Sequence, residues 1–293
     1  MEGRKRHKER KKVKKTKDEQ VGVKLPFSRL ASSIIMIIIS GLFPCSFVCV
    51  LYFHVLNYLA PSVITSIAWV VLLPAFFWAM YYLYLGITVL VTKAFLVYFD
   101  RQCELPEGVI QRQFKDPSHP DYKILHFYHM RGAIIKYALW ITQKSPFPGM
   151  VHKVLVFFGH NQIGRHVIYE NCFLGLEFAF IGDGAVIETG AALSTHVVES
   201  LYGNLWIKRL ELKRDSTTGV NTIIGPGIIV EEDSQVGDNC MAFMNWPLVQ
   251  KEGNSSKFFN GSPAKQRDFV KFFAEGDLKK QYLELLGNSK EHT

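Results

Sequence analysis

The stretch IGDGAVIETGAALSTHVVES, from Ile181 to Ser200, repeats one pattern every six residues. Each hexad starts with an aliphatic residue, continues with Gly or an acidic residue, and carries a small residue in its fifth position. A hexad supplies one short strand and one turn, and its aliphatic and small residues point inward. The hexads start at Ile163, Tyr169, Gly175, Ile181, Ile187 and Leu193, and in a second frame at Ile224, Val230, Val236 and Ala242; the small residues are Ala179, Ala185, Ala191 and Ser234.

Three such hexads make one turn of a triangular coil, so the repeat predicts a mainly β fold, a parallel β-helix. Residues Ile163 to Val198 make two coils, and Ile224 to Met241 make a third, preceded by looser hexads at Leu212 and Thr218. The segment from Glu199 to Glu211 breaks the frame and is predicted to leave the stack as a loop. We assign residues 159–264 to this domain.

A second composition marks the N-terminal half of the chain. From Leu30 to Thr92, 63 residues contain no Asp, Glu, Lys or Arg. Pro61 and Ser62 divide this run into two parts, each longer than the roughly 20 residues that cross a bilayer core. The sequence therefore predicts a two-helix transmembrane hairpin over residues 25–93, in an integral membrane protein.

The flanks of the hairpin indicate its orientation. Residues 1–24 contain eleven Lys or Arg against four Asp or Glu, and basic residues also follow the second helix, whereas the short turn has none. By the positive-inside rule both termini are predicted to be cytoplasmic. We expect the basic tail to be disordered and to meet anionic membrane lipid rather than nucleic acid, because it has no aromatic residues and a membrane segment follows it at once.

The two segments that flank the β-helix domain have helical patterns. Residues 94–158 contain an amphipathic helix, predicted to lie at the membrane surface or on the hairpin. Its apolar positions are Ile124, Phe127, Tyr128, Ile134, Ile135, Ala138 and Leu139, and its polar positions are Lys123, His126, Arg131 and Lys136. Residues 265–293 are predicted to form a helix that caps the open end of the coils, with a partner-binding helix as the alternative.

These hexads, together with GSPAK at Gly261–Lys265, resemble the left-handed parallel β-helix acyltransferases of the hexapeptide-repeat family. The segments IIGPGIIVEEDSQVGDN, PLVQKE and FNGSPA are similar to the membrane-linked terminal domain of nonribosomal peptide synthetase-like proteins. The resemblance implies a left-handed coil, acyl-CoA as co-substrate and a homo-trimer with active sites between subunits. The hexads are specific for the fold and weakly specific for the substrate.

His196 is the candidate catalytic residue. It stands in the fourth position of the hexad Leu193–Val198, which faces outward, and the frame-breaking segment follows it. Histidine suits a general base because its pKa lies near the working pH, and the resemblance assigns that role to His196. Glu199, three residues on, is the candidate that orients the imidazole. The alternative is a solvated histidine with no chemical role.

The candidate residues for acyl-CoA come after the last coil. Asn245 and Trp246 are predicted to line the route of the pantetheine arm. Gly261, Ser262 and Lys265 stand where related enzymes hold the phosphates of coenzyme A, and a lysine there has the matching charge. The predicted reaction is transfer of an acetyl or other acyl group to a hydroxyl or amine acceptor.

The sequence leaves two alternative functions beside acyl transfer. A zinc enzyme on the same scaffold needs three converging histidines, but His166 lies 30 residues before His196 rather than 18 or 36, and no metal is expected. The second alternative is an inactive membrane-anchored β-helix that serves as a scaffold or assembly protein. Asp183 is predicted to be a turn residue. The five cysteines form no C-x-x-C pair and predict neither a zinc site nor a disulfide framework.

Overall fold

The computed structural model describes residues 27–59, 63–112, 116–147, 149–169, 171–198, 204–243, 248 and 257–267. They form two compact units. The first comprises the described residues up to His160 together with Val198–Ile207, and the second comprises Asn161–Val197 and the described residues from Lys208 onward. The first unit is mainly helical and the second is a parallel β-helix. The predicted basic tail lies outside the described residues, and so does the predicted capping helix from residue 268 onward. At residues 265–267 the predicted helix is wrong, because Lys265–Arg267 form a strand.

Two long helices, α1 (Phe27–Leu59) and α2 (Val63–Gln102), pack against each other in the first unit. Within them, Ser28–Tyr58 and Trp69–Gln102 are long and apolar enough to cross a membrane. A Cβ atom on Gly41 would lie 2.5 Å from the Tyr84 ring, so this glycine lets the helices approach closely. Helix α2 continues past the predicted boundary at residue 93 and ends at Gln102.

Helix α3 (Pro120–Thr142) packs on both α1 and α2, and it begins with a His119 cap whose ring accepts a hydrogen bond from the Asp121 amide. The sequence placed Arg131 on its polar side, and this assignment is wrong, because Arg131 is completely buried. Its guanidinium donates to the Asp100 carboxylate at the end of α2, and this ion pair makes burial of the charge tolerable. On the apolar side, Leu125 rather than Ile124 is buried.

Helix α4 (Gly149–Phe158) completes the helical unit. Lys93 of α2 donates from Nζ to the Phe158 carbonyl oxygen over 2.9 Å. A short strand, β1 (Gly108–Ile110), pairs antiparallel with β9 (Leu205–Ile207), which is why Val198–Ile207 groups with the first unit.

The second unit contains four complete coils of three strands each. The first coil consists of β2 (Gln162–Ile163), β3 (Ile168–Tyr169) and β4 (Phe173–Leu174), and the second of β5 (Ala179–Ile181), β6 (Val186–Ile187) and β7 (Ala192–Leu193). The third consists of β10 (Leu210–Leu212), β11 (Thr217–Thr218) and β12 (Ile223–Ile224), and the fourth of β13 (Ile229–Val230), β14 (Gln235–Val236) and β15 (Met241–Ala242). Strand β8 (His196–Val198) follows the second coil.

The coils stack into three sheets that form the faces of a prism. Their strand orders are β2-β5-β10-β13, β3-β6-β11-β14 and β4-β7-β12-β15, and all these pairings are parallel. Strand β16 (Phe258–Asn260) extends the second sheet in parallel, and β17 (Lys265–Arg267) closes it in antiparallel orientation. The predicted parallel β-helix is confirmed, and the left-handed sense stays a prediction from the resemblance.

The interior of the prism follows the hexads. From the second coil onward, the residues expected to fill it are almost completely inaccessible, including Ala179, Ala185, Ala191 and Ser234 in the small fifth position. Ile163 and Tyr169 of the first coil are partly exposed. Thr218 and Thr222 are also completely buried, and the Thr222 hydroxyl donates to the Gly237 carbonyl oxygen over 2.7 Å. Satisfied hydroxyls let threonine take positions that usually need an aliphatic residue.

The number of coils differs from the prediction. The looser hexads at Leu212 and Thr218 belong to a full third coil, paired on both sides. Ile187 pairs with Thr218, 31 positions later, whereas Thr218 pairs with Val236, 18 positions later. The segment between Leu193 of β7 and Leu210 of β10, here called the excursion, therefore adds 13 residues to one coil. Leu210 is already back in the stack, so the excursion ends before the predicted Glu211.

One hexad is shifted by a residue. The count from Ile163 makes Gly175 the inward residue, but Leu174 pairs with Leu193 and is the buried one. Five residues rather than six separate Tyr169 from Leu174, and seven separate Leu174 from Ile181. Gly175 instead lies against the Thr195 side chain. A Cβ atom added at Gly175 would be 2.6 Å from Thr195 Oγ1.

The corners of the coils use left-handed backbone at the fourth hexad position. Gly184 turns there with a φ of 71°, and Asp215, Asn221, Asp233 and Asn239 turn with φ between 52° and 54°. Glycine, Asn and Asp adopt this conformation at low cost, which explains their recurrence at this position. As predicted, Asp183 is a turn residue, and its carboxylate accepts from the Arg165 amide over 2.7 Å.

Candidate functional site

His196 lies where the chain leaves the second coil. It is the first residue of β8, and its side chain is half-buried. The Ser194 hydroxyl donates to the His196 carbonyl oxygen and accepts from the His196 amide, so one serine fixes the backbone on either side of the ring. These two hydrogen bonds hold the backbone from which the imidazole side chain extends.

The backbone at His196 differs from that of the other coil corners. His196 occupies the fourth hexad position, where the regular corners have a positive φ, yet it lies in extended strand structure. The Lys208 amide donates to the Thr195 carbonyl oxygen over 2.9 Å and closes the base of the excursion. His196 therefore stands at the root of the excursion.

A buried carboxylate occupies the matching position one coil earlier. Because Leu174 pairs with Leu193, the third residue after each is Glu177 and His196, respectively. Only 7% of Glu177 is exposed. Glu177 and His196 thus hold equivalent positions, three residues beyond the last pair of two strands that lie about 4.8 Å apart. A buried carboxylate near an imidazole can hold its tautomer and stabilise the imidazolium.

The candidate phosphate-binding residues form a tight turn at the other end of the stack. Gly261 and Ser262 lie between β16 and β17, and Lys265 begins β17 with an exposed side chain. The turn is tied to β15, since the Gly261 carbonyl oxygen accepts from the Met241 amide over 3.1 Å. Strand β15 lies two strands from β7 in the same sheet, about 10 Å along the prism.

Three of the other candidates lie outside the described residues. They are Glu199, Asn245 and Trp246. Among the described residues, the β-helix unit thus carries two sets of candidates. Glu177 and His196 each follow a paired leucine by three residues, and the turn at Gly261–Lys265 is bonded to β15, two strands from β7.

The cysteines of the β-helix unit are poorly suited to nucleophilic chemistry. Burial raises the pKa of the Cys172 thiol to about 12, and burial also raises the pKa of Cys240. A thiol is a nucleophile only as the thiolate, so both remain inert near neutral pH. A covalent acyl-cysteine intermediate at these two positions is therefore disfavoured, and direct transfer to an acceptor needs a general base.

The histidines of the coils do not converge. His166 turns the corner between the first and second sheets with a φ of 58°, whereas His196 follows a strand of the third sheet. Across the ranges that the structure describes, no group of three His, Cys, Asp or Glu side chains is placed to hold a metal ion. The corner of His196 therefore offers acid–base groups rather than a ligand set.

The sequence analysis singles out His196 and gives Glu177 no role. The count of hexads placed Glu177 out of step with His196 by one position, since it assumed an unbroken frame from Ile163. The signal was present in Gly175, a glycine in a position that otherwise holds an aliphatic residue. Moving the inward position back to Leu174 brings Glu177 and His196 into register.

The comparisons with known proteins are limited to weak similarities of structure. No protein-family model and no curated protein matches this sequence. A hexapeptide-repeat acetyltransferase from Vibrio cholerae is 16% identical with a TM-score of 0.35, over 44% of this chain and 85% of that chain. A maltose O-acetyltransferase from Clostridium difficile 630 is 14% identical with a TM-score of 0.31, over 44% and 81%.

A third similar structure is a serine acetyltransferase from Neisseria gonorrhoeae, 12% identical with a TM-score of 0.26, over 60% of this chain and 64% of that chain. At these identities and TM-scores the likeness carries no argument about activity. The chemistry is therefore argued from the residues of this chain.

Proposed function

We propose that this protein is a membrane-anchored acyltransferase that moves an acyl group from acyl-CoA to a hydroxyl or amine acceptor. The observation that carries the proposal is the partly exposed His196 at the root of the excursion, in the position equivalent to the buried Glu177 one coil earlier. The kinship with the terminal domain of nonribosomal peptide synthetase-like proteins is part of the proposal and rests on the quoted motifs.

The proposed reaction needs a base, a carbonyl carbon and a leaving thiol. The His196 imidazole takes the proton of the acceptor hydroxyl or amine, and the acceptor atom attacks the thioester carbonyl carbon. A carbon–oxygen or carbon–nitrogen bond forms, the carbon–sulfur bond breaks, and the imidazolium returns its proton to the departing thiolate. Glu177 stabilises the positive charge on the ring between these two steps.

The binding of acyl-CoA is assigned to the turn between β16 and β17, which is bonded to β15 at the end of the third sheet. The exposed Lys265 meets a phosphate of coenzyme A, and Gly261 and Ser262 let the turn approach it closely. Asn245, Trp246 and Glu199 keep their predicted roles along the pantetheine route and beside the imidazole. Acyl-CoA is a co-substrate here, and the proposed step uses no metal.

The test of the activity compares matched histidine variants. Full-length protein in detergent is incubated with a panel of acyl-CoAs and a membrane extract, and release of the free thiol is followed. His196→Ala is expected to lower the rate about 100- to 10,000-fold, the usual contribution of a general base. His166→Asn, which suits the left-handed corner, is expected to retain the rate. Equal rates for His196→Ala and the unaltered protein would reject the assignment.

Glu177 is tested as a positioning residue. In Glu177→Gln the imidazole loses its negative neighbour and becomes easier to deprotonate, so the acid limb of the pH–rate profile should move to lower pH. We expect kcat to fall about 10-fold or more while KM for acyl-CoA stays constant. Glu188→Gln, on the second coil, is the control. A profile unchanged in shape and position would make Glu177 merely structural.

Anchoring in the membrane is supported by the two apolar helices α1 and α2. We place the turn between them on the far side of the membrane and both termini in the cytoplasm, on the charge pattern of the flanks. Resistance to extraction by alkaline carbonate, and protection of the turn from protease in sealed vesicles, are the expected results. Extraction by carbonate would contradict the anchor.

A homo-trimer is part of the proposal, and one sheet of the prism supports it. The outward residues of the third sheet are all apolar and stack in register: Phe173, Ala192, Ile223 and Met241. Ile223→Arg is expected to dissociate the oligomer in mass photometry. Ile168→Arg, an equally exposed position on the second sheet, should leave it intact. Identical masses for the two variants would exclude this face as the contact.

The second candidate function is an inactive scaffold, and it predicts a different outcome. Such a protein would bind partners through the same apolar sheet but release no thiol from any acyl-CoA. A failure to bind coenzyme A in calorimetry, with the oligomer intact, would favour it.

A further inference from the structure

An open groove on the helical unit has the features of a lipid site. It encloses about 460 Å³ and is lined by Pro74, Phe77, Trp78 and Tyr81 of α2 and by Lys144 after α3. Four of these five side chains are apolar or aromatic, and the fifth carries a positive charge. A groove of this kind fits a ligand with a long apolar part and an anionic end.

The charged end of the groove is held in place by its neighbours. The Tyr81 hydroxyl donates to the Ile141 carbonyl oxygen over 2.9 Å, which fixes the end of α3 against α2. The Lys144 ammonium lies 5.8 Å from the centre of the Trp140 ring, in a cation–π contact. Trp78 stacks on Tyr82, and the Tyr82 hydroxyl is 3.3 Å from that of Ser145. The mouth of the groove is therefore an aromatic cluster with one lysine.

The groove lies within the apolar part of α2 that is long enough to cross a membrane, Trp69–Gln102. Pro74 and Tyr81 are seven residues apart, which is about 10 Å of helix at 1.5 Å per residue. A lysine beside such a segment can extend its apolar stem along it and direct its charge toward the membrane surface, and Trp and Tyr suit the same amphipathic surroundings. The groove therefore has an apolar wall about 10 Å long with a positive charge at one end.

We propose that this groove binds an anionic phospholipid of the cytosolic leaflet. One fatty chain lies along Pro74, Phe77 and Trp78, and the phosphate meets the Lys144 ammonium. The positive charge at the mouth and the apolar wall within a segment long enough to cross a membrane identify this occupant. The inference rests on the membrane anchor and orientation of the proposed function, and it is independent of acyl transfer.

The test counts phospholipids that stay bound to the full-length protein. Protein purified in detergent is titrated with phosphatidylserine or with phosphatidylcholine of the same chains, and retained lipid is counted by native mass spectrometry. Phosphatidylserine is expected to be preferred. Lys144→Gln should lower its retention about fivefold, the effect of one lysine near an anionic surface, and leave phosphatidylcholine unchanged.

Two matched controls define the outcome. Lys136→Gln removes an exposed lysine of α3 that does not line the groove, and it should leave retention unchanged. Phe77→Ala should weaken both lipids, whereas Phe43→Ala, at a more exposed position of α1, should weaken neither. Equal retention of the two lipids, or equal losses in Lys144→Gln and Lys136→Gln, would overturn the proposal.

The proposed function and the groove fail in distinguishable ways. Lipid retention is measured without acyl-CoA, so loss of thiol release alone leaves the groove standing. Extraction of the protein by carbonate alone removes the anchor and, with it, the reason to place the groove in a leaflet.

Discussion

The two units of this protein differ in the apolar side chains that they expose. The β-helix buries small aliphatic side chains such as Ala185 and Ile187 inside its prism. The helical unit also has a buried apolar core, but its long helices turn large apolar side chains outward, with Phe43, Phe47 and Val71 at least 66% exposed. It also buries the charge of Arg131 completely. Large apolar side chains on the outside are what the proposed membrane anchor requires, because they would face hydrocarbon.

The largest effect is expected from the buried ion pair of the helical unit. Asp100→Leu leaves the Arg131 guanidinium buried without its counter-charge, which typically costs about 3–5 kcal/mol. The His160 ring also loses a partner, since its Nε2 atom is 3.3 Å from Asp100 Oδ2. Thermal unfolding in detergent measures the loss, and the double variant Asp100→Leu, Arg131→Met is expected to recover most of it.

The control for that variant is an exposed pair on the coils. Lys213 and Glu231 form an ion pair whose side chains are both about half exposed, so Lys213→Ala should leave the unfolding temperature unchanged. If Asp100→Leu and Lys213→Ala lowered the unfolding temperature equally, burial would not make the Arg131–Asp100 pair more important for stability than an exposed pair.

The next prediction exchanges one isoleucine in each unit. Ile187 is completely buried in the prism, and Ile187→Ala is expected to cost about 2–5 kcal/mol through lost contacts and a cavity. Ile39 of α1 is 57% exposed, and Ile39→Ala should cost much less in detergent, where no cavity forms. Chemical unfolding of the two variants tests the contrast, and a larger loss for Ile39→Ala would reverse the comparison.

The smallest effects are expected from two glycines. Gly184 turns a coil corner with a φ of 71°, and an added Cβ atom would lie 2.1 Å from Asp215 Oδ1, so Gly184→Ala should cost about 1–3 kcal/mol. Gly86 lies within α2 with nothing near its missing side chain, and Gly86→Ala should gain about 0.5–1 kcal/mol from helix propensity. Shifts of the same sign in unfolding temperature would contradict this account of the corners.

The fold was largely predictable from sequence because its two signals are local and repeated. The run without charges suits the surroundings predicted for two helices, and the small and aliphatic residues of each hexad suit the interior of a coil. Each pattern can be recognised within a short stretch of sequence. The third coil was less visible, since Thr218 and Thr222 take interior positions. Their hydroxyls need partners that only the assembled stack provides, such as the Gly237 carbonyl oxygen.

Long-range pairs set the limit of prediction. Arg131 is polar in any sequence pattern, and nothing near it in sequence indicates that Asp100, 31 residues earlier, will neutralise it. The candidate site has the same limit. His196 can be identified as a candidate from its own hexad alone. Its register with Glu177 depends on a one-residue shift that only the pairing of Leu174 with Leu193 reveals.

The central claim is that exposed apolar side chains face hydrocarbon in the helical unit and water in the β-helix. Spin labels at Phe43→Cys and Ile168→Cys, introduced into protein with its native cysteines replaced, report this directly in lipid nanodiscs. We predict that the label at 43 collides mainly with oxygen and the label at 168 mainly with a water-soluble nickel reagent. Equal access of the nickel reagent to both positions would contradict the claim.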